Sequence, residues 1–417
     1  MNKHLLILAL ILSFCTTLFS QSEAETPPPD FIKSIVFNAS TPENQIPIYK
    51  LGASIRLEFD ALNGDEEDFY YVIEHYDFDW TPSALIKTEY LRGMDNQRIR
   101  DYDNSFNTYQ IYSHYKLKIP NEQTRGLRKT GNYMLKIYDD YDELVFSRKF
   151  MIYENKANVG IKIKRSRDVK LITQKQIVDF KITSSMPFNN PKTTVKTVVI
   201  QNNNLNTAIT NLKPLYTIGN DLIYQFNTGE SSFWGGNEFL YFENKDIRSA
   251  NNAIQFIELK DLYHNYLFTD IIRANRTYTY NPDVNGSYLI TALDVDNVNM
   301  EADYAWVHFS LQYPELLDGS SIHIFGNYNN YLINEDTRMT FDDASGYYKN
   351  VQLLKQGFYN YKYIIVNADG SLDEGAISGN FDLTENNYKV LVYYREVGGR
   401  YDKLIGFGET TSINISN

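Results

Sequence analysis

Apolar and polar residues alternate with a period of two over most of this chain. In the stretch YMLKIYDD, Tyr133, Leu135 and Ile137 fall on one side of an extended backbone and the residues between them fall on the other. Short stretches of this kind follow one another between turns rich in Gly, Asn, Asp and Pro. A period of two predicts β-strands, and closely spaced turns between short strands are typical of β-sandwiches.

The strands fall into three blocks, which predict three domains in a row. We expect an all-β fold of about three tandem immunoglobulin-like β-sandwich domains, at 31–155, 156–283 and 284–417. A length of 417 residues agrees with several domains. Helix candidates are short, such as IELKDLYHN around Leu259. The third block shares no repeat period with the first, so we expect a string of domains and not a solenoid.

The first residues have the pattern of an export signal. Lys3 precedes an apolar run from Leu5 to about Phe14, and a small-residue exit follows at Ser20. The run is too short for a membrane anchor. We therefore predict a signal peptide at 1–20 that is cleaved after Ser20.

Two features flank the predicted cleavage site. The only cysteine, Cys15, lies inside the signal, and it follows the large Phe14, where a lipoprotein signal would have a small residue. The mature chain then has no thiol and depends on core packing and sheet pairing instead of disulfides. After the signal, ETPPPD predicts a Pro-rich linker at 21–30, because consecutive prolines favour an extended backbone.

The composition argues against nucleic acid as a partner. The formal net charge is -12, and no long run of Lys and Arg is available to displace counterions from phosphates. The 34 tyrosines, against 3 tryptophans, suit strands with one half-exposed face. Apart from the signal, we expect no membrane span.

Metal ligands would have to come from histidines or carboxylates. No two histidines of the mature chain lie at i, i+2 or i, i+4, although a zinc site assembled from distant strands is left open. DVDNVN at 294–299 resembles the start of a calcium loop but lacks its central Gly and closing Glu. We predict no metal and no cofactor. The histidines of the mature chain are His75, His114, His264, His308 and His323.

Evidence for catalysis is limited to scattered carboxylates. In HYDFDW, Asp77 and Asp79 fall on one side of a strand beside Trp80. A pair of carboxylates could serve glycoside hydrolysis, but a strand end with a packed Trp explains the same residues. Nucleophile elbows and phosphate loops are both absent from the sequence. We therefore expect a protein with no catalytic residues.

One stretch of the third block resembles the modules that bind starch and glycogen. It reads IHIFGNYNNYLINEDTRMTFDDASGYYKNVQLLKQGFYNYKYIIV, residues 322–366. Those modules stack glucose on an exposed Trp, and this chain has Tyr331 in its place. Trp306 alternates with Val307 and Phe309 in an apolar strand, so we expect it in the core. The resemblance implies the fold and leaves an exported glycan-binding protein as the alternative function.

A second resemblance covers most of the mature chain and is clearest at its two ends. It rests on EHYDFDW, on YLRGMDNQRIRDYDNSFNTYQIYSHYKLKIP and GNYMLKIYDD, and on the C-terminal YYREVGGRYDKLIGFGE. Together these segments resemble the plug proteins of the type IX secretion system.

The resemblance implies a non-catalytic periplasmic protein. It would dock on a very large outer-membrane β-barrel translocon, close the periplasmic opening of the idle barrel, and be monomeric when alone. Tyr102, Asp103 and Asn104 match the family pattern and are candidates for the partner interface. A turn set by Asp and Asn would explain them equally well.

Overall fold

The computed structural model describes residues 22–38, 45–64, 66–226, 229–413 and 415. The expected signal peptide and its cleavage point after Ser20 lie outside the described residues. The chain is nearly all β, with 47% strand and 5% helix, in sheets that form sandwiches. The predicted all-β sandwich fold is confirmed. None of the helices among the described residues is long and apolar enough to cross a membrane.

The strands are numbered in chain order. The chain begins with β1 (Ile32–Val36), β2 (Ile48–Lys50), β3 (Ile55–Ala61), β4 (Tyr70–Tyr76), β5 (Leu91–Gly93), β6 (Gln97–Arg98), β7 (Asp101–Asn104), β8 (Ser113–Ile119), β9 (Thr124–Leu127), β10 (Gly131–Tyr138) and β11 (Leu144–Tyr153). It continues with β12 (Ala157–Arg165), β13 (Lys175–Ser184), β14 (Val195–Gln201), β15 (Asn204–Thr210), β16 (Tyr216–Ile218), β17 (Asp221–Tyr224) and β18 (Ser232–Trp234). Next come β19 (Leu240–Glu243), β20 (Ile254–Leu259), β21 (Tyr263–Leu267), β22 (Asp270–Ile271), β23 (Tyr288–Ile290), β24 (Tyr304–Gln312), β25 (Ser321–Phe325), β26 (Thr340–Asp342), β27 (Tyr347–Lys355), β28 (Gly357–Val366) and β29 (Leu372–Asp373). The last strands are β30 (Asn387–Tyr394) and β31 (Lys403–Thr411), and the single helical turns are α1 (Lys87–Tyr90), α2 (Pro191–Thr194) and α3 (Val298–Glu301), with 3-10 turns at Asn327–Asn329 and Glu335–Thr337.

Two sheets face each other in the first sandwich. Their strand orders are β1-β3-β8-β7 and β2-β11-β10-β4-β6, and β5 and β9 form a small sheet beside them. The apolar side of β10, with Tyr133, Leu135 and Ile137, is at most 1% exposed. Phe59 stacks on Tyr115 with 5.2 Å between ring centroids. Because burial of one such side chain contributes about 1.5–3 kcal/mol, this core is the main source of stability here.

The segment 22–30 lies against the outer side of this sandwich. The Glu23 carboxylate pairs with Lys136 of β10 at 2.5 Å. The Thr26 amide donates to Ser147 Oγ at 2.8 Å, and the Ser147 amide donates to Thr26 O at 3.1 Å. The predicted Pro-rich linker is therefore held on the first sandwich, because Glu23 and Thr26 find partners on β10 and β11.

The second sandwich is completed by the last strands of the chain. Its sheets have the orders β12-β13-β17-β16, with β18 also beside β13, and β15-β14-β30-β31. β14 pairs with the whole length of β30, from Val195 opposite Tyr394 to Gln201 opposite Tyr388. Residues from both parts of the chain share one core, which includes Val178, Phe180, Tyr224, Tyr388 and Val390.

The third sandwich lies between these two parts in sequence. One sheet is β19-β28-β23, with β25 and β29 also on β28, and the other is β20-β21-β24-β27-β26, with β22 also on β24. The expected boundary between 156–283 and 284–417 is wrong, because strands before it pair with strands after it. The helix candidate around Leu259 is also wrong, since this stretch is the β20-β21 hairpin. A period of two locates strands but does not tell which of them pair.

A buried polar cluster joins the first and third sandwiches. Asp60 of β3 is 0% exposed and Lys355 of β27 is 2% exposed. Lys355 Nζ lies 2.7 Å from Asp60 Oδ2, and the Tyr304 hydroxyl donates to the same oxygen at 2.6 Å. His114 Nδ1 lies 2.6 Å from Asp60 Oδ1. Burial would raise the pKa of Asp60, but Lys355 and His114 outweigh it and hold the pKa below its usual range.

A second cluster joins the first and second sandwiches. Arg395 donates twice to Asp402, at 3.0 and 2.8 Å, and its guanidinium lies 2.6 Å from Asp77 Oδ2. Nearby, the Tyr393 hydroxyl donates to Asn132 Oδ1 at 2.6 Å. Paired donors of this kind fix geometry as well as charge. EHYDFDW and YYREVGGRYDKLIGFGE, at opposite ends of the chain, therefore meet at one joint.

Two glycines of the C-terminal motif permit close strand packing. A Cβ on Gly406 would lie 2.7 Å from Ala157 O, and one on Gly408 would lie 2.6 Å from Val159 O. Both distances are too short for a side chain. The glycines of LIGFGE thus let β31 lie directly against β12.

Candidate partner surface

The sequence-predicted interface residues lie on an edge strand. β7 is the last strand of its sheet and pairs with β8 on one side. The Tyr102 hydroxyl donates to Glu66 at 2.6 Å, and Asn104 Nδ2 donates to the other oxygen of Glu66 at 2.8 Å. Asp103 pairs with Lys116 at 2.5 Å. The polar ends of all three side chains are therefore engaged within the first sandwich.

These contacts also fix the charges at the strand edge. The hydrogen bonds from Tyr102 and Asn104 lower the pKa of Glu66, which stays ionised at neutral pH. The bond to Asp103 raises the pKa of Lys116. The edge of β7 is thus a polar, charged strip with side-chain geometry set before any partner arrives.

The loop that follows β7 carries the exposed apolar side chains. We call residues 105–111 the apolar loop. Phe106 is 66% exposed, Tyr109 is 56% exposed and Ile111 is 60% exposed. A group of large apolar side chains held in water at one place is typical of a protein-binding surface.

The apolar loop is held rigidly by the third sandwich. Asp303 accepts hydrogen bonds from the amides of Tyr109 and Gln110, at 2.7 and 3.1 Å. The Phe106 amide donates to Met300 O at 2.9 Å. The Tyr109 ring meets Tyr263 edge-on, with 5.5 Å between centroids. Backbone bonds therefore fix the loop while more than half of the surface of its three apolar side chains stays exposed.

Sequence reasoning named Tyr102, Asp103 and Asn104, which lie on β7, and missed the exposed loop that follows them. Phe106, Tyr109 and Ile111 stand among Ser, Asn, Thr and Gln in NSFNTYQIY, which is unusual for a turn region. This contrast between large apolar residues and their polar neighbours is the sequence signal from which the exposed loop could have been predicted. Asp303, which positions the loop, gives no local signal because its partners lie far away in the sequence.

The candidate carboxylate pair is divided between two structural roles. Asp77 belongs to the joint with Arg395, whereas Asp79 accepts from the Thr81 hydroxyl at 2.7 Å and caps a turn. The acidic stretch at 294–299 leads into α3, where the Asn297 side chain accepts from the Asn299 amide. In the described ranges, no group of three or more His, Cys, Asp or Glu is placed to hold a metal.

Two aromatic residues, Tyr331 and Trp306, bear on whether the third sandwich can bind sugar. Tyr331 is 4% exposed and its hydroxyl donates to Asn202 O at 2.6 Å, so its ring cannot stack on a sugar. Trp306 was expected in the core but is only partly buried. Trp306 has the opposite parity to Val307 and Phe309, so it lies on the outer face of β24.

Comparison with known proteins bears on the first sandwich directly. The family model of the type 9 secretion system plug protein 1st domain matches residues 32–154. A solved structure of a hypothetical protein from Parabacteroides merdae is 30% identical, with a TM-score of 0.87, and the match covers 93% of this chain and 98% of that one. The first sandwich belongs to the type 9 secretion system plug protein family. The resemblance found in the sequence is therefore confirmed.

The remaining comparisons add nothing to this assignment. No curated protein matches it. The N-terminal region of an enterococcal surface protein is 8% identical with a TM-score of 0.19, covering 94% of this chain and 97% of that one. A complex of the immunoglobulin-domain proteins Dpr2 and DIP-Theta is 7% identical with a TM-score of 0.14, covering 88% and 95%. Scores this low carry no structural argument.

Proposed function

We propose that this protein is a non-catalytic periplasmic plug, which closes the periplasmic opening of the outer-membrane translocon barrel of type IX secretion while the barrel is idle. The observation that carries the proposal is the plug-family match over the first sandwich. The apolar loop lies at the border of that sandwich and provides a surface for the barrel.

The joints between the sandwiches support a role as a rigid body. A plug must withstand the opening it closes, so its parts must not swing apart. The Asp60–Lys355 pair and the Arg395–Asp77 pair both cross between sandwiches. Because breaking a buried ion pair is strongly destabilising, each joint resists separation.

The surface around the apolar loop suits reversible contact. Three apolar side chains stand beside the charged strip of β7, and the formal net charge of the chain is -12. Interfaces of transient complexes combine a small apolar centre with a polar, hydrated rim. A plug that leaves an occupied barrel needs such an interface.

Affinity purification tests the proposed partner. The tagged mature protein is recovered from mildly solubilised outer membranes, and the bound proteins are identified by mass spectrometry. We expect one very large barrel protein in near-equimolar amount. A preparation without such a partner would contradict the proposal.

A matched pair of triple variants tests the surface. Phe106→Ser, Tyr109→Ser and Ile111→Ser together remove the apolar side chains but leave the backbone bonds of the loop in place. The control replaces Leu215, Tyr216 and Ile218 near β16, which are 47%, 57% and 67% exposed, with Ser.

We expect the loop variant to recover much less barrel than the wild type and the control to recover as much. Equal recovery by the two variants would exclude the apolar loop as the contact. Loss of the protein should also make the outer membrane leak small hydrophilic dyes, and an unchanged permeability would argue against closure of the barrel.

A further inference from the structure

The outer face of the third sandwich brings together two histidines from distant parts of the chain. His264 lies on β21 and His308 lies on β24, which run parallel and adjacent. His264 Nδ1 and His308 Nε2 are 2.8 Å apart. Both side chains are partly buried, and both lie on the outer face of the sheet. Their ring nitrogens face each other near solvent.

Neighbouring rings hold the pair in place. The His308 ring stacks on Tyr266 with 4.0 Å between centroids and 18° between planes. The Tyr266 hydroxyl donates to Glu258 at 3.1 Å, and Glu258 pairs with Lys260 at 3.0 Å. Side chains that orient a ligating imidazole strengthen a metal site. The carboxylate of Glu258 offsets the positive charge of Lys260 beside the pair.

Burial disfavours the charged form of both imidazoles. Burial, with His264 and Lys260 nearby, lowers the pKa of His308 to about 4. Burial and Lys260 also lower the pKa of His264. Both shifts favour the neutral imidazole, which is the form that ligates a metal.

We propose that His264 and His308 form a binding site for a divalent transition-metal ion of the zinc type. A zinc–nitrogen bond is about 2.0–2.1 Å long, so two nitrogens bound at the tetrahedral angle are about 3.3–3.4 Å apart. Nδ1 and Nε2 are 2.8 Å apart, so the rings have to separate by about 0.5 Å and tilt toward a common point to admit the ion. Imidazole nitrogens favour zinc, copper and nickel over magnesium and calcium.

Binding needs one change of tautomer. The hydrogen bond between the rings places one proton on one of the two facing nitrogens. When the ion enters, that proton moves to the other nitrogen of the same ring, so both facing nitrogens offer lone pairs. Two imidazoles supply part of the coordination sphere, and water or a side chain of a partner completes it. The proposal rests on this geometry and is independent of the plug function.

Calorimetry with zinc chloride tests the site on the tag-free mature protein. We expect one equivalent of Zn²⁺ to bind and magnesium chloride to give no heat of binding. His264→Ala and His308→Ala should each abolish zinc binding. Tyr266→Phe, which keeps both imidazoles, should retain it. Absence of binding by the wild type, or retained binding by either alanine variant, would overturn the proposal.

Two further readouts keep the test independent of folding defects. Zinc should raise the melting temperature of the wild type, because a ligand that clamps β21 to β24 stabilises the folded state. It should leave the melting temperature of His308→Ala unchanged. In ¹⁵N spectra of the wild type, zinc should shift Nδ1 of His264 and Nε2 of His308, and a shift confined to other histidines would contradict the assignment.

Discussion

Lys355 is the residue whose loss should most weaken the joint between the first and third sandwiches. Its ammonium lies 2.7 Å from Asp60, donates to Asn299 O at 3.0 Å, and sits 4.0 Å from the centroid of the Tyr112 ring. Lys355→Met keeps most of the side-chain volume and removes the charge. Asp60 then remains buried without its strongest counter-charge.

The expected loss can be worked from burial. With Asp60 0% exposed and Lys355 2% exposed, neither charge can recover its hydration in the folded state. Removing one partner of such a pair costs about 3–5 kcal/mol. Asp60→Asn should cost a similar amount. The double variant should cost less than the sum of the singles, because contacting residues couple by roughly 0.5–3 kcal/mol.

Urea unfolding followed by tryptophan fluorescence measures these changes. Trp80, Trp234 and Trp306 are the only tryptophans and report on the first, second and third sandwiches respectively. Lys389→Met is the control, since Lys389 is also 2% exposed but lies 3.7 Å from a half-exposed Glu409.

Lys355→Met should lower the free energy of unfolding by several times as much as Lys389→Met. If the two variants differ by less than about 1 kcal/mol, or if Asp60→Asn and Lys355→Met are additive, the joint is not the coupled pair inferred from its burial.

Three other predictions follow from named contacts. Gly408→Ala should destabilise the protein by about 1–3 kcal/mol, since its Cβ would lie 2.6 Å from a backbone oxygen. Gly160→Ala is the control, because there is open space at its Cβ, and it should change stability little. Denaturant midpoints measure both changes. Burial alone would lower the pKa of His114, but Asp60 and Glu58 outweigh it and raise the pKa. The melting temperature of the wild type should therefore exceed that of His114→Gln most below pH 6.5, and the difference should shrink as pH rises. Burial raises the pKa of Asp283 to about 7. Wild-type stability should therefore fall as pH rises from about 4 to 7, and Asp283→Asn should be the more stable protein at pH 8. Equal pH profiles of stability for the two proteins would refute this.

Local pattern in the sequence was enough to predict strands but not their partners. The alternation around Tyr133 and Leu135 predicts β10 correctly, because the period of a strand is written in consecutive residues. The pairing of β14 with β30 depends on residues far apart, and nothing near Val195 indicates it. The expected boundary at 283 was wrong for this reason.

The candidate site could be predicted only in part for the same reason, because it depends on contacts between residues far apart in sequence. Tyr102, Asp103 and Asn104 were found through resemblance, and the structure places them on a strand edge where their polar groups are already engaged. The apolar loop next to them depends on Asp303, whose two amide partners are distant in sequence. The contact of His264 with His308 also arises from strand packing. The sequence spacing of the histidines could therefore only leave a metal site assembled from distant strands as an open alternative.

The insertion of the third sandwich into the second sets an order of assembly during synthesis. Domains generally fold as their residues emerge, so the first sandwich and then the third can close while the second still waits for its last strands. Until β30 arrives, β14 has an open edge, which is a place where other chains can pair. A premature stop after β29 would therefore leave the third sandwich complete but deprive the second sandwich of β30 and β31.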